Sequence, residues 1–358
     1  MFFLAFVVLM GCSQTQEDVI KVGMVTDVAG IDDKSFSEIT WKGVNEFAEA
    51  YNQESGETVE VQYVTPDDTS LPTLVNAVDN LVMSGNEIIV LTGFVFEETT
   101  GKVAELYPDI KFILIDGQPL VDGEYVSFDN VVSIMFNEHE AGFLTGIASA
   151  LQTKTGKLAF LGGVEVPAVQ HYGYGFVSGV AYANKVLGTQ AQVIDYLYQG
   201  TFTDYAAGQA IAGGMFDKGI DIIQHAGGGV GTGAITEAKQ REDVYIVGVD
   251  TNQYNEGIND ESSVILTSAM KHINVAVVKH LEKYVKNDFA GGEVITMTLA
   301  EDAVGIPSEN PNLTEETLVK INEVIESVKN GKIKVPSTVQ ELEQFLEDYE
   351  YHVEGIKY

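Results

Sequence analysis

The feature that most constrains this sequence is a regular alternation, from residue 19 onward, of short apolar runs with helical patterns. Such alternation is typical of a parallel β-sheet whose strands are connected by helices. Continuous apolarity in IIVLTG and FILID indicates strands that are covered on both faces. The pattern predicts strands at 20–27, 59–64, 87–92, 111–116 and 131–136, with helices at 35–53, 70–85 and 96–107 between them.

A second series of the same kind follows a predicted helix at 138–152. Its strands are expected at 157–162, 191–197, 221–226 and 244–250, and its helices at 168–187, 204–218 and 231–241. The later elements, VILTSAM, INVAVVKHLEKYVKN, EVITMTL and a helix near 313–331, are too few for a third domain. Because domains average ~150 residues, the 358 residues predict an α/β fold of two doubly wound, parallel-sheet lobes that exchange elements near the C terminus.

The N terminus, MFFLAFVVLMGCSQTQED, contains the only cysteine and the only long apolar run. The run is too short to span a bilayer, which needs ~20 residues, but it has the length of a signal-peptide core. Leu9 to Cys12 resemble a lipobox, although a cationic leader is missing and Met10 is larger than usual. We expect a signal peptide at 1–12, lipidation with palmitate at Cys12 and a tether at 13–18. The alternative is a buried N-terminal strand with an incidental cysteine.

The charge is strongly negative, with 53 acidic against 20 basic side chains and a formal charge of −33. Nucleic acid and anionic membrane surfaces repel such a chain, so we expect no nucleic-acid partner. The same charge favours a soluble monomer and a neutral or cationic ligand. A solvated acidic surface with no further role is the alternative interpretation.

Polar residues collect where the predicted strands end, which is where ligands bind in open α/β sheets. These candidates are Asp27, Asp116, Asn137, Gly227 and Asp250. Buried carboxylates need donors, and a ligand rich in N–H and O–H groups supplies them. The alternative for each aspartate is that it caps the following helix.

Two aromatic residues lie in the same set of loops, one in each predicted lobe. Phe36 follows an acidic, glycine-containing break, and Phe202 lies in YQGTFTDY. A flat heterocycle held between two rings gains ~1 to 3 kcal/mol per stacked base. The alternative is that both rings pack in the core. The glycine run HAGGGVGTGA lacks the lysine of a phosphate loop, so we expect it to let the backbone approach a neutral ligand.

Enzyme chemistry finds little support in the sequence. The six histidines show no metal-ligand spacing, and no serine occupies a Gly-x-Ser-x-Gly turn. His225, beside the glycines, is the only candidate base, and a structural role is the simpler interpretation for it. We therefore predict a binding protein with no catalytic residue, no metal and no cofactor.

The sequence resembles the basic membrane protein family of bacterial lipoproteins, whose best-understood members are purine-nucleoside receptors of ABC transporters. The resemblance rests on the order of VGMVTDVAGIDDKSFSE, FILID, FNEHEAGFLTGIASAL, HYGYGFVSGV, IIQHAGGGVGTGAI, IVGVDTNQ and LTSAMK. It implies a type I periplasmic-binding-protein fold with three hinge crossings. We expect lobe 1 at 19–136 and about 271–290, lobe 2 at 137–270 and about 291–335, and an acidic surface segment at 336–358.

The resemblance also implies roles for the candidate residues. Phe36 and Phe202 would sandwich the base, Asp27 and Asp116 would meet its polar edge, and Asp250, Lys271 and the Gly227 region would hold the ribose. The implied partners are purine nucleosides (guanosine, inosine and adenosine), the permease and ATPase subunits of the transporter, and the extracytoplasmic face of the membrane through the lipid. A sugar or autoinducer receptor of the same fold and a surface adhesin remain alternatives, and a nucleoside hydrolase is the most remote.

Overall fold

The computed structural model describes residues 19–353. The expected signal peptide, the lipidation site at Cys12 and the tether lie outside the described residues. Within residues 19–353, no helix combines the length and apolar character that crossing a membrane requires.

The strands agree closely with the predicted runs, with short hairpins added in the loops. In chain order they are β1 Val19–Val25, β2 Thr58–Val64, β3 Ile88–Thr92, β4 Lys111–Ile115, β5 Leu120–Val121, β6 Glu124–Tyr125, β7 Val131–Phe136, β8 Lys157–Gly162, β9 Gln192–Tyr198, β10 Ile222–Ala226, β11 Tyr245–Asp250, β12 Ile258–Asn259, β13 Ser262–Ser263, β14 Ile265–Lys271, β15 Val294–Met297 and β16 Val304–Gly305.

The helices lie between these strands, where the spacing of apolar residues changes from that of a strand to that of a helix. They are α1 Phe36–Ser55, α2 Leu71–Met83, α3 Glu97–Leu106, α4 Glu138–Gln152, α5 Pro167–Tyr182, α6 Tyr205–Asp217, α7 Gly229–Ala238, α8 Ile273–Val285, α9 Glu315–Lys329 and α10 Val339–Asp348. Single turns of 3₁₀ helix occur at Phe94–Phe96 and Leu299–Glu301, and a π-helical turn, Ala183–Leu187, extends α5.

Two six-stranded sheets organise the described residues into two lobes. The strand order is β15-β7-β4-β3-β1-β2 in the first sheet and β16-β14-β11-β10-β8-β9 in the second. The pairs are parallel except for β14 with β16, which is antiparallel. In each sheet the strand order reverses beside the strand that comes first in the chain, β1 in one sheet and β8 in the other. This reversal opens a crevice at the carboxyl ends of the strands. The predicted α/β class with two doubly wound lobes is confirmed.

The chain passes between the lobes at three places. It leaves the first sheet after β7, returns after β14 and leaves again between β15 and β16. Backbone hydrogen bonds join these crossings, from Asn137 N–H to the Met297 carbonyl at 2.9 Å and from His272 N–H to the Ala303 carbonyl at 2.8 Å.

One part of the expected division differs from the structure. We expected residues 291–335 in the second lobe, but β15 pairs in parallel with β7 of the first sheet. The physical reason is the preceding helix, because α8 lies against α1 of the first lobe and consecutive elements of a chain are usually neighbours in space. Asn274 of α8 donates to Glu46 of α1 at 2.8 Å.

The C-terminal segment also differs from an acidic surface helix. α10 presents acidic residues to solvent, but Leu342 and Leu346 are buried against the core. The ring of Phe345 stacks on Tyr349, with 4.1 Å between the ring centroids. The end of the described chain is therefore a packed part of the fold.

Candidate ligand-binding site

A cavity of about 460 Å³ lies between the carboxyl ends of the two sheets. This volume falls in the ~300–1,000 Å³ range of small-molecule sites. The predicted residues that line it are Asp27, Phe36, Asp116, Phe202, Gly227, Asp250 and Lys271. Residues that are far apart in the sequence are thus brought to one place by the two crevices.

Asn137 is the predicted site residue that lies outside this lining. It precedes α4 at the first crossing, where its N–H bonds the Met297 carbonyl and its side chain bonds Glu140. β7, which ends just before Asn137, lies one position farther from the crevice than β4, so its end meets the hinge instead of the cavity.

The two phenyl rings reach the cavity from different lobes. Phe36 is the first residue of α1, and Phe202 lies on the loop between β9 and α6; both rings are half-buried. A glycine leaves room for the Phe202 ring, since a Cβ atom at Gly163 would lie 2.4 Å from it. Gly93 lies beside the Phe36 ring, and its φ of 99° is a backbone conformation that favours glycine.

A buried ammonium group lies at the base of the cavity. Lys271 is the last residue of β14, and its Nζ donates to Asp116 and, at 3.0 Å, to Glu138. Aromatic ring centroids surround the same Nζ at 5.2 Å for Phe36, 5.2 Å for Phe136 and 5.9 Å for Tyr172. Paired charges and ring faces are what a buried cation requires.

These partners shift the protonation equilibria of the buried carboxyl groups. Burial raises the pKa of Asp116 to about 7, although Lys271 acts in the opposite direction. Burial also favours the neutral form of Glu138, but Lys271 and His171 outweigh it and lower the pKa of Glu138 to about 2. The ammonium is shared between the two carboxyl groups, and the Oδ1 atom of Asp116 is buried with no hydrogen-bond partner among the described residues.

Asp250 bridges the lobes. Its Oδ2 accepts from the Ser35 hydroxyl at 2.5 Å and its Oδ1 from the Tyr172 hydroxyl at 3.0 Å. The backbones of Asp116 and Asp250 both adopt the left-handed region, with φ of 53° and 61°. Aspartate tolerates this region better than most residues, and such conformations concentrate at functional sites.

The acidic break before α1 is an ordered turn of carboxylate-to-backbone bonds. Asp27 Oδ1 accepts from Ala29 N–H at 2.8 Å, and burial raises its pKa. Asp33 accepts from the N–H groups of Ser35, Ser37 and Glu38, and burial raises its pKa to about 6. The helix-capping role considered for the strand-end aspartates therefore belongs to Asp33, which holds Phe36 at the start of α1.

The glycine run has two uses. Gly227, Gly228 and Gly229 line the cavity. Gly231 instead accommodates His225, since a Cβ atom there would lie 2.0 Å from His225 Nδ1. His225 is fully buried and bonds Gln253 at 3.0 Å, so it has the structural role favoured from the sequence.

Sequence reasoning missed Glu138, Ser35, Tyr172 and Gln253. Glu138 carries the clearest signal, because it is a carboxylate at the start of a helix that is otherwise buried on almost all sides. The partners of Ser35 and Tyr172 depend on how the lobes meet, which the sequence pattern does not specify.

A model of the Bmp family, described as "ABC transporter substrate-binding protein PnrA-like", matches residues 20–339. The chain belongs to the Bmp family. The predicted resemblance is confirmed, and this Bmp-family protein is an ABC transporter substrate-binding protein. The family is one of solute-binding proteins and not a class of enzymes.

Relatives with printed names agree with this assignment. Basic membrane protein A1 of Borrelia garinii subsp. bavariensis is 32% identical and is aligned over 96% of each chain. The ABC transporter nucleoside-binding protein BmpA of Lactococcus lactis subsp. cremoris is 27% identical, with 91% of this chain and 92% of BmpA aligned.

A solved structure shares the architecture. The ABC transporter solute-binding protein of Aeropyrum pernix K1 superposes with a TM-score of 0.76 and 25% identity, over 92% of this Bmp-family protein and 97% of the other chain.

Proposed function

We propose that this Bmp-family protein captures purine nucleosides, including guanosine, inosine and adenosine, between its lobes and delivers them to the permease and ATPase subunits of an ABC transporter. The observation that carries the proposal is the pair of half-buried rings, Phe36 and Phe202, that line one cavity from opposite lobes. Stacking on both faces suits a flat heterocycle, and a double-ring base fills such a sandwich better than a single ring.

The polar lining supports a ligand with several hydrogen-bond donors. Asp27, Asp116 and Asp250 present acceptors, and Asp116 Oδ1 has no partner among the described residues. Ring N–H, amino and sugar hydroxyl groups donate to such atoms, while Lys271 offsets part of the negative charge. A 5′-phosphate would add like charge to a partly dry cleft, so nucleotides should bind poorly.

Membrane attachment is the second part of the proposal. The predicted lipidation of Cys12 would hold the protein at the extracytoplasmic face, and two acyl chains give stable anchoring where one does not. The net charge of −33 favours a monomer there. The Borrelia relative is named a basic membrane protein, which supports this location.

The test is a thermal-shift screen of dialysed protein with nucleosides, their 5′-monophosphates, free bases and sugars. Purine nucleosides should raise the midpoint most, since a ligand at a hundredfold excess over Kd stabilises by ~2.7 kcal/mol. A response to sugars alone would favour a sugar receptor. A larger shift with GMP than with guanosine would contradict the electrostatic argument, and a response to no compound would favour the adhesin alternative.

The same protein should be incubated with inosine and assayed for free base. We expect none, because the described residues contain no group of side chains that could hold a metal ion, and the carboxyl groups of the lining are assigned here to ligand binding. Release of hypoxanthine would overturn the assignment as a binding protein without catalysis.

A further inference from the structure

Gln253 is a buried amide on the loop after β11 in the second lobe. Its backbone N–H donates to the Ser268 hydroxyl at 3.1 Å. Gly248 makes room for the side chain, since a Cβ atom there would lie 2.8 Å from Gln253 Oε1. The amide is therefore built into the second lobe before any contact with the first.

Two donors fix the orientation of this amide. Its Oε1 accepts from Val249 N–H at 3.0 Å and lies 3.0 Å from His225 Nε2. Since a backbone N–H can only donate, the atom facing it is the oxygen, and His225 must carry its proton on Nε2. Burial lowers the pKa of His225 to about 4, which keeps the ring neutral at physiological pH.

The fixed amide directs its nitrogen across the cleft. Gln253 Nε2 donates to the Lys34 carbonyl of the first lobe at 3.1 Å. Lys34 has a φ of 58°, a conformation that a lysine adopts only where its surroundings compensate the cost. Next along the chain, Ser35 bonds Asp250 at 2.5 Å, and Phe36 follows.

We propose that Gln253 is a positioning residue that latches the loop at 33–36 onto the second lobe and so holds Phe36 over the bound ligand. His225 and Val249 orient the latch, and Lys34 receives it. The latch forms only when the lobes are closed, so it slows ligand release and has little effect on ligand entry into open lobes. The proposal rests on the proposed function in so far as a nucleoside is the ligand enclosed.

The Gln253→Glu variant tests the latch. A glutamate retains an acceptor for Val249 and His225, but its second oxygen repels the Lys34 carbonyl instead of donating to it. Guanosine dissociation from the full chain, measured by surface plasmon resonance, should become at least about tenfold faster, equivalent to ~1.4 kcal/mol, with association changed by less than about threefold. The matched control is Gln240→Glu, because Gln240 is exposed on the turn after α7 and donates to the Thr236 carbonyl at 3.3 Å, away from the cleft. The control should release guanosine at the wild-type rate.

A second measurement separates a latch from a merely structural residue. Spin labels at Met83 and Val186, exposed positions in different lobes, report the fraction of closed molecules in protein with Cys12 replaced by serine. Gln253→Glu should reduce the closed fraction with saturating guanosine. An unchanged dissociation rate, or a lowered melting temperature with an unchanged closed fraction, would overturn the latch.

Failure of the proposed ligand gives a different result. If wild-type protein binds no nucleoside, the proposed function is wrong. The spin-label distances, measured without ligand, then test whether the latch exists. A smaller closed fraction in Gln253→Glu than in wild type supports the latch, and identical distance distributions contradict it.

Discussion

Glu138 and Lys271 form a buried ion pair, with 3.0 Å between Oε1 and Nζ, at two of the three crossings between the lobes. Glu138 begins the helix after the first crossing, and Lys271 ends the strand before the second. The site and the hinge therefore share one charge cluster.

Removal of this cation should strongly destabilise the fold. Lys271→Met leaves Glu138 and Asp116 buried without their partner, and breaking such pairs costs ~3–5 kcal/mol. Urea unfolding measures the loss. The control Lys286→Met removes an exposed i,i+4 partner of Glu282 and should cost less than ~0.5 kcal/mol. Equal small losses in the two variants would show that the buried pair contributes no more than the exposed one.

Stacking by the two rings should be measurable one ring at a time. Phe36→Ala and Phe202→Ala should each weaken guanosine binding by ~1–3 kcal/mol, roughly ten- to a hundredfold, in calorimetry. Phe289→Ala is the control, because this half-buried ring lies by Lys111, at the opposite end of the first sheet from the cavity. Unchanged affinity in both cleft variants would assign the rings to packing alone.

The pH dependence of the free energy of unfolding should reveal the raised pKa of Asp116. Its pKa is raised to about 7 in the folded chain, above the ~3.9 of an unfolded aspartate. The folded state therefore holds a proton that the unfolded state has released, and this contribution falls as pH rises from about 4 to 7.

Wild-type protein should accordingly lose stability relative to Asp116→Asn across that interval, because asparagine does not titrate. Urea unfolding of both proteins at pH 5 and pH 7.5 gives the difference. A difference that is the same at both values would contradict a raised pKa.

Two glycine substitutions should have opposite signs. Gly231→Ala places a Cβ atom 2.0 Å from His225 Nδ1 and should destabilise by ~1–3 kcal/mol. Gly214→Ala, on α6, meets no atom within 4 Å and should stabilise by ~0.5–1 kcal/mol through helix propensity. Thermal unfolding compares them. A stable Gly231→Ala protein would mean that His225 can move, which would weaken the argument for a fixed Gln253 amide.

Lipidation is tested at Cys12. Wild-type protein should incorporate labelled palmitate and sediment with membranes, whereas Cys12→Ala should do neither. If the Cys12→Ala protein still sediments with membranes and still incorporates palmitate, the lipid is attached at another residue.

The sequence predicted the strands and helices well because continuous apolar runs and helical periods are local properties. It also brought Asp27, Asp116 and Asp250 toward one edge, since strand ends of parallel sheets share an edge. It placed β15 in the wrong lobe and missed Ser35 and Gln253, whose partners, Asp250 and the Lys34 carbonyl, lie across the cleft. Contacts between lobes depend on the hinge geometry, which has no local pattern.

The position of β15 also governs when the first lobe can finish folding during synthesis. β7 is an apolar strand whose outer neighbour is β15, yet the whole second-lobe sheet except β16 comes between them in the chain. Until residues 294–297 leave the ribosome, β7 presents an uncovered edge with unpaired backbone groups, the kind of edge through which nascent chains aggregate. The N-terminal lobe therefore completes its sheet only when most of the chain has been made, and a chaperone that keeps the nascent chain unfolded until then would protect that edge.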